Sequence, residues 1–503
     1  MLVNTYRGLA ALSLLTVSLT FVGCPRRGGG IRPRPKAHRR PIVPTDLTVF
    51  RGNPERNLSA VGTVPRRPKL LWRFQTQTKY EGPYERRGAP KLRVSTPWRG
   101  LGWTGQPVRL AKRIYFGSTD SYVHCLDATT GKEIWYYPNH HCIKGSIMIS
   151  GDHIYHGGRD NKLHCYTLDG KPARGRGEGR PGMVWETRTG NDMDSSPAIV
   201  KGRGYVGAED KHILCFDPRT GEILWKFGPT NGSVESSPCV FDGKVMAGSD
   251  YGSLFCLDAK NGKPIWTFNT LGDTDSTPVH VNGRIYVGSK TKSARERGWL
   301  WCIDAEKGTQ IWKVDMPRGI WATPAVSAKK NRVYIGCNNG LFYCFAADSG
   351  KLIWKRFLGS RIWSSAAITD DCVVVGVRNG TLWCLNEDDG KPLWVFDDGF
   401  DIDATPCVAR GMIVIGSQNG WIYGIGEAPK NEPLNRHWFR SAPFTKRTDH
   451  DSTGIVTIKT SAPEPKSWRD TNAGCRDHLY QPVRAVGRGF DAPAAGPPSP
   501  AAR

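Results

Sequence analysis

Asp258-Ala259-Lys260-Asn261-Gly262-Lys263-Pro264-Ile265-Trp266 decides the fold, because the chain repeats it. Asp127 to Trp135, Asp217 to Trp225 and Asp304 to Trp312 each place a Gly four residues after the Asp and a Trp four residues after the Gly. Degenerate copies end at Trp185, Trp354 and Trp394. An Asp can bond its own backbone and a Gly accepts positive φ, so Asp-x-x-x-Gly reads as a tight turn and the Trp segment as the strand leaving it. A period of about 40–50 residues is the size of one four-stranded propeller blade.

Each unit opens on small residues, as in Ser195-Ser196-Pro197-Ala198-Ile199-Val200, and turns at a Gly such as Gly202. A β-rich strand, a second turn and a third strand, Ile213 to Asp217, precede the Asp/Gly turn. Openings fall near Pro107, Ser146, Pro197, Pro238, Pro278, Pro324, Ala366 and Pro406, which makes eight units. The eighth reaches Trp421-Ile422-Tyr423-Gly424-Ile425 and lacks a Trp strand of its own. Lys69-Leu70-Leu71-Trp72-Arg73-Phe74 has that pattern at the other end, and pairing it with the last unit would remove the free edges. The fold expected is therefore all-β: an eight-bladed β-propeller of four-stranded antiparallel blades, closed by an N-terminal strand.

Seven of the 14 cysteines occupy one repeat position, Cys125, Cys165, Cys215, Cys256, Cys302, Cys344 and Cys384, with Gly424 in the eighth unit. Stacked sheets lie about 10 Å apart, and a disulfide needs Cα atoms within about 7 Å. The series reads as small buried apolar side chains rather than a disulfide ladder. His140-His141-Cys142 is metal-capable, but no second ligand pair stands at a recognisable spacing, so it reads as a polar loop.

The formal net charge is +24. Residues 101–426 hold about +4 of it, so the repeat body has no basic stripe of the kind nucleic acid requires. Residues 1–23 read as a signal peptide, with Arg7 before an apolar run that is short for a membrane span. Gly23-Cys24 resembles a bacterial lipobox, which implies lipidation of Cys24 and a membrane anchor. Four regions follow: the signal at 1–23; the lipidated Cys and a basic Pro/Gly-rich linker at 24–65; the propeller at 66–426; and a basic, mostly disordered tail at 427–503.

The Asp/Gly turns and Trp strands resemble the tryptophan-docking repeats of the PQQ-like, quinoprotein-type propellers. An exported, lipid-anchored eight-bladed ring is most similar there to the BamB lipoproteins of outer-membrane barrel assembly. That resemblance implies a non-catalytic scaffold without a cofactor. Its location would be the bacterial envelope, at the outer membrane facing the periplasm, and its partners envelope proteins such as the barrel insertase. BamB-like proteins use a Leu-x-x-Arg loop and an Asp-x-Asp loop in the following blade, which here points to Leu358, Arg361, Asp401 and Asp403 as partner-binding residues. A fork-shaped guanidinium, an apolar anchor and counter-charges suit such an interface. The alternative the same family offers is a PQQ/Ca-dependent oxidoreductase. No Cys-Cys pair is present, but Asp194, Glu235, Asp275 and Asp403 recur just before the inner strand, beside Trp321 and Trp363, where a cation or quinone could sit.

Overall fold

The computed structural model describes residues 46–76, 101, 105–170, 182–293, 296–369, 371–433, 435 and 438–441. Cys24, the signal segment, nearly all of 76–100 and most of the tail lie outside them.

Eight antiparallel sheets follow one another, the first six plain four-stranded meanders in chain order. Blade three is typical: Ala198–Val200, Arg203–Ala208, His212–Phe216 and Ile223–Phe227. The first strands of neighbouring blades touch, so they line the axis, and the Trp strands lie outermost. Connections between blades and the turns between second and third strands share one face, here the upper. The remaining turns form the lower face.

The repeat residues owe their identity to the next blade. Trp225 Nε1–H donates to the Ala259 carbonyl (3.3 Å), Trp266 to Ala305 (3.3 Å) and Trp312 to Ala347 (3.0 Å). Each ring lies on the next turn's Gly: a Cβ on Gly262 would stand 2.7 Å from Trp225, and one on Gly308 2.4 Å from Trp266. The turn Asp is a backbone cap, Asp258 Oδ1 accepting from the N–H groups of Lys260 and Asn261.

The Ser-Ser openings are a hydroxyl belt. In blades one to six a backbone N–H donates to the next blade's hydroxyl, in the order Gln106 to Ser146, Ser146 to Ser196, Ser196 to Ser237, Ser237 to Thr277, Thr277 to Thr323 and Thr323 to Ser365. Small side chains are required because eight inner strands crowd one axis, and a buried N–H must find an acceptor. The seven serial cysteines are buried free thiols, each paired across the sheet with its blade's Trp, as Cys215 with Trp225.

The ring closes as expected. Pro68–Gln75 pairs antiparallel with Trp421–Glu427, and Trp72 docks on Gly131 of blade one, donating to the Ala128 carbonyl (2.8 Å). Blade seven carries a fifth strand, Phe439–Ser441, on Pro392–Asp397. Ordered structure thus continues past residue 426.

Residues 46–65, assigned to the linker on composition, are instead part of the propeller. From Leu47 to Val61 the chain rises from the lower face into the axial channel and returns, touching all eight blades. Leu47 bridges Arg109; the carbonyls of Thr48, Pro54 and Glu55 accept from Ile149, Val240 and His280; Val61 donates to Val408. Arg51 donates to the carbonyls of Pro324 (2.8 Å) and Ala366 (2.6 Å). Arg56 donates to those of Pro238 (2.8 Å), Ser196 (3.1 Å) and Pro197 (3.2 Å). Both arginines are 0% exposed, and burial pulls their pKa values down, to about 9 for Arg51 and about 10 for Arg56. They supply donors to carbonyls at the inner-strand starts, which the sheets leave over.

Candidate functional site

The upper mouth of the channel is lined by two concentric sets of repeat positions. The inner set lies two residues before the belt hydroxyl: Lys144, Asp194, Glu235, Asp275, Trp321, Trp363 and Asp403, the first blade's equivalent falling outside the described residues. The outer set lies two residues after the second-strand Gly: Thr119, Arg159, Glu209, Asp250, Lys290, Asn338, Arg378 and Gln418. Tight backbone packing around these glycines, Gly207 against Val234 for example, brings outer residues such as Arg159, Asn338 and Arg378 beside the inner residue of the following blade.

Most of these neighbours are complementary. Arg159 grips Asp194 with two bonds (2.9 and 2.6 Å), and Lys144 lies 3.5 Å from it. Lys290 stands 3.0 Å from Asp275 and 4.0 Å above the Trp321 ring. Trp321 and Trp363 stack on each other, centroids 4.7 Å apart and planes 20° from parallel. Trp363 donates to Asn338 (2.8 Å). Arg378 lies 3.8 Å over Trp363 and reaches both Asp401 (3.0 Å) and Asp403 (3.3 Å).

Complementarity fails at blades three to five. There Glu209 faces Glu235, and Asp250 faces Asp275. Burial and then Asp275, Asp194, Glu209 and Asp250 push the Glu235 carboxyl well above its usual range. Burial followed by its acidic neighbours lifts Glu209 to about 8 and Asp250 to about 7.

The four residues expected to bind a partner do meet on one sector, but only half of them face outward. Leu358 is 1% exposed and packs in the core with Ile362 and Val375, so it is no surface anchor. Asp403 is 1% exposed and is occupied by Arg378. Burial, Arg378 notwithstanding, raises its pKa to about 7. Arg361 is exposed, its carbonyl accepting from the Arg378 N–H (3.1 Å), and Asp401 is half-buried. Arg159, Lys290 and Arg378 were missed on sequence, although their shared place, Gly-x-[Arg/Lys] at Gly157, Gly288 and Gly376, is a readable signal.

Comparison with known proteins places the ring among relatives. The family described as the β-propeller of beta-alanine-activating enzyme matches residues 189–461, over half of the chain. The family described as outer membrane protein assembly factor BamB matches residues 61–207 and 119–234. Among solved structures, BamB from Moraxella catarrhalis is 19% identical, with 65% of this chain and 97% of that one covered and a TM-score of 0.54. A europium-containing methanol dehydrogenase is 13% identical, covering 76% and 98%, with a TM-score of 0.58. The quinohemoprotein alcohol dehydrogenase from Comamonas testosteroni is 14% identical, covering 77% and 82%, with a TM-score of 0.57. At such identities these matches establish the fold. No curated protein sequence matches the chain.

A quinone held by calcium, which such relatives bring to mind, fits these residues poorly. Asp194, Asp275 and Asp403 already hold the chain's own cations. The two tryptophans fill the slot between them by stacking. Among the described residues no three His, Cys, Asp or Glu side chains are gathered to hold a metal ion.

Proposed function

The chain belongs to the PQQ-like β-propeller family, and from that premise we propose that it is a non-catalytic scaffold of the bacterial envelope, anchored through lipidated Cys24. The observation that carries this reading is a mouth that pairs its own charges over most of its circumference, the acidic stretch at blades three to five excepted. Carboxylates neutralised by fixed arginine and lysine, above a channel filled by Arg51 and Arg56, favour a rigid ring whose upper loops present surface to a partner. The match to the BamB description supports an envelope partner in outer-membrane protein assembly, with the barrel insertase as the sharper proposal.

The test has two arms. Affinity purification from solubilised envelope, followed by mass spectrometry, is expected to recover defined partner proteins. Replacing the outward-facing pair, Arg361→Ala with Asp401→Lys, is expected to weaken their retention by about 2 kcal/mol while melting changes little. In the other arm, PQQ and Ca²⁺ are added to purified protein in a dye-linked alcohol assay. A bound-quinone spectrum with turnover would overturn the scaffold reading in favour of a quinoprotein oxidoreductase.

A further inference from the structure

Above the acidic break at blades three to five stand two large exposed side chains, Tyr251, with the Lys292 ammonium 4.4 Å over its ring, and Leu271. Tyr251 is 66% exposed and Leu271 50% exposed, and both hold left-handed backbone, φ 63° and 62°. Bulky residues rarely adopt that conformation, and it costs on the order of 1 kcal/mol or more at each position. At the place of Leu271, blades six and seven have glycine, Gly359 and Gly399, so the repeat has an unstrained solution there that blade four does not use. Tyr251 precedes the usual turn glycine, Gly252, and stands where blades six to eight have Asn339, Asn379 and Asn419 without positive φ. The two residues form one knuckle: Thr270 N–H donates to the Gly252 carbonyl (2.9 Å), and Tyr251 N–H donates to Asp273 Oδ1 (2.9 Å).

Beneath the knuckle the charges do not balance. Glu235, Asp250, Asp273 and Asp275 are answered by two ammonium groups, Lys290 and Lys292. Asp275 is 5% exposed, and its Oδ1 has no hydrogen-bond partner among the described residues. No hydrogen bond or ion pair reaches Glu235 among them. Glu209, the fifth carboxylate, leans on Arg159 at 3.4 Å, a group already engaged by Asp194. Elsewhere around the mouth an acid meets a base, an amide or a ring.

We propose that Tyr251 and Leu271, over the Glu235–Asp250–Asp275 carboxylates, form a docking site for an extended basic segment of a partner protein, one alternating arginine or lysine with aliphatic residues. This rests on the scaffold reading and moves the contact from blades seven and eight to blades four and five. The aliphatic side chains of the segment cover Tyr251 and Leu271, while its cations complete the ion pairing that the ring leaves unfinished. Hydrogen-bonded side-chain cations suit carboxylates that are too dispersed to converge on a metal ion.

The probe is a short synthetic Arg/Leu-alternating peptide, with a Glu/Leu peptide of equal length as its counter-probe, measured by fluorescence anisotropy on the full chain. Only the basic peptide is expected to bind, more weakly as salt is raised. Tyr251→Gly and Leu271→Gly are each expected to reduce affinity roughly tenfold or more while the melting temperature holds or rises, because glycine relieves the backbone. Glu235→Gln is expected to weaken binding and raise melting. Equal binding of both peptides, unchanged binding in the glycine variants, a fall in their melting temperature, or displacement of the peptide by Ca²⁺ alone would each overturn the proposal. Should the glycine variants still retain envelope partners that the Arg361/Asp401 variant loses, this surface is wrong and the scaffold reading stands.

Discussion

Gly308 and Gly202 both have positive φ, yet they serve different ends. A Cβ on Gly308 would enter the Trp266 ring, whereas one on Gly202 meets nothing within 4 Å. Gly202→Ala is expected to cost about 1 kcal/mol, the backbone effect alone. Gly308→Ala must also unseat a tryptophan, and about 3 kcal/mol is expected; urea unfolding of the two variants measures the difference. A second check is pH. Despite burial, which lowers it, Asp120 and Glu133 hold the His124 pKa up, at about 9, against an ordinary 6.5. A raised histidine stabilises fully below pH 6.5 and loses that contribution as pH climbs through 9. The melting gap between the wild type and His124→Gln should therefore close between pH 6 and pH 10. The Asp/Gly/Trp spacing was legible because each repeat displays it whole. The reason for the glycine was not, since the tryptophan it seats belongs to the preceding blade. Leu358 was misread for a similar cause: a Leu in a loop motif carries no mark of burial.

At the scale of elements, the closing strand could be inferred because the eighth unit visibly lacked one. The channel loop could not. Its residues, Arg51-Gly52-Asn53-Pro54-Glu55-Arg56, have neither helical nor strand periodicity, and their partners are backbone carbonyls, which every sequence contains. It is nevertheless structural. A chain beginning at Asp46 is expected to melt above one beginning at Pro65, which lacks the loop, and that one well above a chain beginning at Arg99, which also lacks the latch strand. Arg56→Ala, which strands the carbonyls of Pro238, Ser196 and Pro197, is expected to cost about 3 kcal/mol in the full chain. Equal melting of the Asp46 and Pro65 chains would mean that the loop merely fills space.

For the whole molecule the two faces have different work. Both limbs of the channel loop meet the lower face, where Arg410 donates to Asp46 (2.8 Å). The carboxylate-and-tryptophan mouth is on the other side. Replacing Cys24 by Ser is expected to move the protein into the soluble envelope fraction; retention on membranes through high-salt and carbonate washing would refute the lipid anchor. The partner surface was only partly legible, because complementarity around the mouth is a relation between neighbouring blades and no single motif contains it.

The closing strand also fixes an order of events. Trp394 finds its acceptor at Pro65, 329 residues earlier, and the edge that receives Pro68–Gln75 exists only once Trp421–Glu427 has been made. At roughly 5–20 residues per second, the amino-terminal latch waits tens of seconds for its catch. During that interval a neighbouring chain's latch serves equally well, because the pairing is indifferent to which molecule supplies it. At low concentration the chain's own strand is expected to win; when crowded, exchange is expected to give rings joined in pairs, each completed by the other's first strand. Refolding across a range of protein concentrations, followed by size-exclusion chromatography, should therefore yield a dimer whose share rises with concentration and which a shortened chain lacking residues 68–75 cannot form.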